Sequence, residues 1–332
     1  MEDFYGGKYA TVNMGGGYNN TDDPVAITVD GAGSSSAHIF TVGDIVKNSV
    51  SGENLLVTVI TSSTVITCSR AFGTTVATAG TDDDGLFIVG NVNAENSGAR
   101  NVNTTRTTKE TNYTQIFKTS MTVSGTENAA SLHGGKDLPY QRAKIGTQHA
   151  LEIERAFWLS EKKEDTTGHP KRSTGGILEW ILSSGAYTQD AGGTLTVSEF
   201  STFLREGFTY GSTNKYFFCG GLVLQAINEF ARGQIVMKPM AKSYGMQIGT
   251  YVTAFGTINL VHNPLFTGAY AGAGFLLDMS CFKYRFMNGR DTTLSTNIQA
   301  PDVDGIIDQY LTEAGLQRTQ AARCAYLYGV TG

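Results

Sequence analysis

From residue 25 to residue 95 apolar side chains alternate with polar ones, or run β-branched, in five short stretches: AITVDG, HIFTVGDIVKNSV, NLLVTVIT, TVITCSR and GLFIVGNV. Ser51 with Gly52, Ser62 with Ser63, and Asp84 with Gly85 punctuate them, which predicts strands joined by tight turns. Residues 45–50, a Ser-Gly-Glu turn and residues 54–60 read as one long hairpin. Residues 113–127 continue the β pattern as a strand pair or a single long strand. The period then changes. Ala143, Gly146, Ala150, Ile153 and Phe157 fall at spacings of 3, 4, 3 and 4, which predicts an apolar helical stripe within a helix over 138–163. Pro139 suits its first turn. Arg142, Lys144, Glu152, Glu154 and Arg155 lie largely off the stripe. Gly146 and Ala150 are small enough to admit a neighbouring backbone. At 1.5 Å per residue such a helix reaches roughly 36 Å, and Gly168 and Pro170 stop it.

The pattern is mixed over 171–285. Thr196 with Glu199 three residues on predicts a capping box opening a helix through Arg205. GLVLQAINEFAR predicts a second helix over 221–232, with Gly233 just past its end. Residues 248–255 and 257–261 read as strands around Gly256, and FLLDMSCFKYRFM (275–287) as another. Residues 291–332 return to Thr/Gly-rich strand character. Within them 306–311 reads as strand, because Gly305 and Gly315 bracket it. Residues 1–25 are irregular Gly, Asn, Asp and Tyr, the composition of an extended arm. Residues 96–112 are a polar connector, and no repeat is evident at any fixed period.

Composition narrows the class. The chain has 332 residues, enough for two or more modules. Its 40 glycines exceed the usual share, and its 17% charged residues fall below the roughly 25% of average domains, which suits β structure with many turns and surface buried between chains. The net charge of −5 argues against a dedicated nucleic-acid binder. The first hundred residues carry 4 Lys/Arg and 11 Asp/Glu, a net of −7, whereas the remainder carries 21 and 19, a net of +2. That asymmetry fits head-to-tail contact between copies as well as it fits two differently solvated modules. The opening MEDFYGGKY does not read as a secretory signal, and no run of about 18 apolar residues predicts a membrane span.

Candidate chemistry is sparse. Cys68, Cys219, Cys281 and Cys324 are widely spaced, without a Cys-x-x-Cys pair, and read as reduced small hydrophobes. His38, His133, His149, His169 and His262 show no metal-ligand spacing. Ser160-Glu161-Lys162-Lys163 matches the S-x-x-K pattern but lacks the partner motifs of acyl-serine enzymes. Gly15–Gly17 lacks the Lys-Ser/Thr of a phosphate loop. Asp82-Asp83-Asp84-Gly85, and Asp302 and Asp304 with Asp308, could hold a cation, but turn chemistry explains both. Lys162, Lys163, Lys171 and Arg172 form the densest basic region, which reads as a solvated loop before a DNA-backbone contact. Asn19, Asn103 and Asn112 stand in glycosylation sequons without significance for an intracellular chain. No catalytic, cofactor-binding or metal site is expected, and no cofactor.

NYTQIFKTSMTVSGT, DLPYQRAKIGTQHALEIERAFWLS and GGILEWI over 112–183, then FGTINLVHNPLF, GFLLDMS and LTEAGLQRTQAARCAYLYG over 254–330, together with the hairpin VGDIVKNSVSGENLLVTVI, resemble in their order the major capsid proteins of tailed bacteriophages. The likeness is to a podophage-type subfamily with the Hong Kong 97-like fold, and covers about two-thirds of the chain. It implies an α+β shell protein rather than an enzyme. The implied parts are an N-terminal arm (1–25), an extended β loop (26–103), a peripheral domain (104–170 and 286–332) with a spine helix (138–163), and an axial α/β domain (171–285). It implies self-assembly into hexamers and pentamers of an icosahedral shell in the host cytoplasm, enclosing double-stranded DNA with at most weak contact. Portal, scaffolding and decoration proteins are implied partners. The arm is shorter than the family's, and no scaffold-like helix precedes the β segment. That leaves scaffolding to a separate protein, or places this start downstream of the primary one. An encapsulin-like compartment on the same fold and a phage tail or fibre protein are the alternatives.

Overall fold

The computed structural model describes residues 9–30, 39–100, 109–130, 135–234, 238–239 and 248–331. Residues 1–8 of the expected arm, residues 101–108 of the connector, His38, His133 and Asn103 lie outside them. The chain divides into two units, residues 1–109 and 110–332.

In the first unit β1 (Tyr9–Val12), β2 (Val25–Asp30), β3 (Asp44–Asn48), β4 (Asn54–Ile60), β5 (Val65–Ser69) and β6 (Gly85–Asn91) close into a barrel in the order β1-β2-β5-β4-β3-β6. Inward positions follow the two-residue period of a strand: Ala10 and Val12, then Val25, Ile27 and Val29, Val46, Leu55 and Val57, Ile66 and Cys68, and Leu86 form one buried core. Register shifts at Ile45/Val46 and at Val57/Val59 mark irregularities of the kind that help a sheet bend round on itself. The predicted hairpin is β3 and β4, with Ile45 opposite Leu56. The barrel is built from described residues of 1–25 and 26–103, the spans for which the resemblance implies an arm and an extended loop. Ala10 and Val12 are apolar at alternate positions, and they are buried only by pairing β1 with both β2 and β6. Val46, Leu55 and Val57 of the hairpin are part of the barrel core.

The second unit opens with β7 (Gln115–Ser124), one ten-residue strand, followed by α1 (Gly125–Ala129) and α2 (Asp137–Leu159). The predicted helix over 138–163 stops four residues early. The N–H of Ser160 closes the last turn on the Ala156 carbonyl, and the Ser160 carbonyl accepts from Gly176 at 2.6 Å. Lys162 and Lys163 are outside the helix. Lys163 instead begins β8 (Lys163–Asp165), which pairs with β9 (Lys171–Ser173). Next come α3 (Ile177–Ser183), β10 (Tyr187–Gly193), α4 (Val197–Gly207), β11 (Asn214–Cys219), α5 (Gly221–Gln234), β12 (Lys238–Pro239), β13 (Ile248–Val252), β14 (Thr257–His262) and β15 (Gly274–Leu277). The chain ends in β16 (Phe282–Phe286), β17 (Thr293–Ser295), β18 (Gly305–Arg318) and β19 (Ala325–Val330). The capping box at Thr196 and Glu199 is formed on both sides. Gly233 lies inside α5, since one helical glycine costs only about 1 kcal/mol and does not end a helix.

Two sheets result. β7, β16 and β17 pair with the long β18, and seven strands run in the order β10-β19-β15-β11-β14-β13-β12. FLLDMSCFKYRFM is two strands, not one. β15 is buried at all four positions in the seven-stranded sheet, and after a turn through Met279–Cys281 the exposed, polar-alternating FKYRF joins the other sheet. The C-terminal β19, within the span 286–332 for which the resemblance implies the peripheral domain, joins the seven-stranded sheet. Ala325, Tyr326, Leu327 and Val330 need cover on both faces, which only an interior strand provides. They sit between β10 and β15.

Candidate assembly surfaces

α2 is the element that joins the two sheets. Its last turn carries Trp158 into an aromatic cluster on the seven-stranded sheet, with Phe218 at 5.1 Å and Phe266 at 5.0 Å between ring centroids, both edge-on. Further back the contact is polar. His149 is 1% exposed, and its Nδ1 and Nε2 lie 2.8 Å from the hydroxyls of Thr119 on β7 and Thr312 on β18. Thr119 also donates to Glu152, and Thr292 shares a bond with Thr312. Two turns earlier Arg142 Nε meets the fully buried Asp308 carboxylate at 2.6 Å, and one turn earlier Gly146 lets the Tyr310 ring lie close, its hydroxyl 3.2 Å from where a Cβ would stand. Burial lowers the His149 pKa, which Glu152 only partly offsets, so the imidazole stays neutral and can exchange hydrogen bonds with both hydroxyls.

The predicted stripe is therefore rotated. Ala143 and Ala150 are exposed, and Arg142, Gly146, His149 and Glu152 face the sheet. Periodicity of apolar residues could not find this face, because polar partners on β7 and β18 satisfy it. The available signal was Thr119 on β7, with Asp308 and Thr312 four residues apart, and so on one face, of β18.

The other sequence-flagged residues do not converge. Asp308 is consumed by Arg142 and by the N–H of Asn297, so it does not join Asp302 or Asp304 in a cation loop. Asp82 accepts from the Met14 N–H, and Asp84 from Asn48, Thr81 N–H and the Thr81 hydroxyl, which is turn chemistry inside the barrel. His169 and His262 are exposed and far from any ligand set, and no metal-holding cluster occurs among the described residues. Ser160 is the helix C-cap. In the basic hairpin Arg172 pairs with Glu164 at 2.7 Å.

The barrel's outward positions are different in kind. Tyr9 and Phe87 stack at 5.3 Å on adjacent strands, and Val89 continues the row, 63% exposed. Between residues 9 and 100 Asp22, Asp23, Asp30, Asp82, Asp83 and Glu95 are exposed, against Lys47 alone as an exposed base. These outward-facing apolar side chains sit within an acidic surround.

The second unit is thus a helix bridging two sheets. The family model of SU10 major capsid proteins matches residues 20–331, and the chain belongs to that family. Its members are structural proteins of a phage shell, not enzymes. The major capsid protein of Pseudomonas phage PaMx41 is 23% identical over 268 residues, covering 76% of this chain; the chain spans only 63% of that relative's length. Among solved structures, the capsid of a native GTA particle superposes with a TM-score of 0.50 at 11% identity, covering 72% of this chain and 80% of that one. Mycobacterium phage Patience gives 0.45 at 9% identity, over 72% and 78%. The fold is the α+β, Hong Kong 97-like capsid fold.

Proposed function

We propose that the chain is the subunit of an icosahedral virion shell, assembling in the host cytoplasm into hexamers and pentamers around double-stranded DNA. The observation that carries this reading is the family match over 20–331, together with a spine helix seated on two sheets. The four-stranded sheet with α2, β8 and β9 is the peripheral module. The seven-stranded sheet with α3, α4 and α5 is the axial module around which rings close, and the barrel takes the place of the extended loop. The acidic barrel surface, with its Tyr9–Phe87–Val89 row, contacts a neighbouring copy. Each contact is weak alone, but shell closure multiplies them. Portal, scaffolding and decoration proteins complete the particle, and DNA is enclosed without tight binding, consistent with the net charge of −5.

The test is negative-stain electron microscopy of the chain expressed alone and with its neighbouring genes. Closed polyhedra, or rings of five and six, are expected. A monomer at high concentration with the neighbours present overturns the reading. Particles filled with protein cargo rather than nucleic acid would favour an encapsulin-like compartment.

A further inference from the structure

α2 lies on one face of the four-stranded sheet, and the side chains of the opposite face are exposed. Residues paired across a ladder share a face, and successive residues of a strand alternate. Asp308, Tyr310 and Thr312 of β18 meet α2, so Leu311 and Glu313 point away from it. On that far face Lys118 stands opposite Leu311, and Ile116, 49% exposed, opposite Glu313. Lys283 and Arg285 join the same face from β16, opposite Gln317 and Gly315. Lys118, Lys283 and Arg285 are exposed, and among the described residues none of the three meets a carboxylate. Glu313 is neutralised by Arg290. The far face is thus an apolar strip, Ile116 with Leu311, bordered by three cations.

The barrel carries the converse pattern. Tyr9 and Phe87 are partners in the β1–β6 ladder, and Val89 extends their outward row. Asp30 is opposite Thr11, two residues along β1 from Tyr9, and so borders that row on its own outward face. Asp82, Asp83 and Glu95 are exposed on the same unit, and Lys47, opposite Phe87, is its exposed base. A barrel set on a second barrel, or a sheet on a second sheet, would bring like charges together. A barrel set on the sheet's far face brings acids to bases while both apolar strips leave water.

We propose that the outward Tyr9–Phe87–Val89 surface of one copy docks on the far face of the four-stranded sheet of a second copy, Asp30 and its acidic neighbours meeting Lys118, Lys283 and Arg285. This inference rests on the shell reading above and names the surface that receives the barrel. Each copy carries one surface of each kind, so the contact is head-to-tail and passes from copy to copy, as a ring requires. The apolar strips supply the attraction, and the charges choose the face and the register.

The test is a charge exchange in the full chain, read by electron microscopy and size-exclusion chromatography. One variant carries Lys118→Glu, Lys283→Glu and Arg285→Glu, and another Asp30→Lys and Glu95→Lys. All five positions are exposed, so both variants should keep the melting curve of the unaltered chain. Each alone should lose rings and shells, and all five changes in one chain should restore them. A second measurement places Phe87→Cys and Ile116→Cys in separate chains, mixed before assembly and treated with a short bismaleimide. The native cysteines are buried, and the expected product is a covalent dimer holding one copy of each variant. Shells that survive either reversal, a five-fold variant that stays monomeric, or the absence of the mixed dimer overturns the docking and leaves the shell reading standing. An unaltered chain that forms neither rings nor shells overturns both.

Discussion

The barrel and the two-sheet unit bury polar groups in opposite places. In the barrel they clamp loops outside the ladder. Glu53 accepts from Arg70 Nε and Nη2 and from the N–H groups of Ala71 and Thr78, and Arg70 reaches on to the carbonyls of Asn19 and Thr78. The core beneath is mostly aliphatic, with Tyr18 and Phe40 as its aromatic members. In the two-sheet unit Lys215 and Asp278 also tie loops, but polar groups sit in addition between α2 and the strands it crosses, while Phe200, Phe203, Phe217 and Phe275 fill the interior. The difference follows from what each contact must specify. A closed ladder already fixes its own register, so only its connections need anchoring. A helix lying on strands can slide, and directional bonds from His149 and Arg142 select one position where apolar packing would tolerate several.

The largest test of this contrast is Glu53→Ala. It strands a guanidinium whose side chain is 2% exposed and orphans two N–H groups, and should cost about 3–5 kcal/mol. Calorimetry should show the barrel's transition shifted and that of the two-sheet unit in place; a common shift of both would break the contrast. Arg142→Ala leaves the buried Asp308 carboxylate with the Asn297 N–H as its remaining partner, and should cost about 2–3 kcal/mol in the other transition alone, read from urea midpoints. Thr196→Ala removes the α4 cap and should cost about 1 kcal/mol there, without effect on the barrel.

The smallest effect is a pH order. The folded pKa of His149 lies below its unfolded value, so the unfolded chain takes up the proton first, and the two-sheet unit should weaken as pH falls below about 6.5. For Glu53, burial raises the pKa but Arg70 and the backbone donors lower it further, so barrel stability is complete above about 4.3 and is lost only as pH falls through the lower folded value. Melting curves at pH 7.5, 6 and 5 should therefore move the two-sheet unit first, and His149→Gln should flatten that slope. A barrel that weakens first would refute the order.

Much of this was readable from the chain. Alternation located β2 to β6, the turn residues placed the 45–60 hairpin, and the spacing of Thr196 and Glu199 located α4. What escaped was whatever depends on a distant partner. Tyr9–Val12 is too short to announce itself, and becomes a strand because Ala10 finds Leu86 and Val12 finds Val29. β15 and β16 read as one run because the three-residue turn at Met279–Cys281 contains neither Gly nor Pro. The sheet-facing side of α2 was misread because its partners are hydroxyls and a carboxylate. The exposed apolar rows were the least legible, since Tyr9 and Phe87 become one patch only when the barrel closes.

Closure of the barrel also bears on how the chain survives its own abundance. A subunit made in bulk meets its sisters while still nascent, and any free strand flank would recruit them through backbone groups that do not distinguish right from wrong partners. In the barrel every strand has a neighbour on both sides, so promiscuous backbone zippering is shut off there. On the proposed shell reading, what remains for recognition is side-chain chemistry such as Tyr9, Phe87 and the acidic surround, which can reject an incorrect neighbour and let go of it.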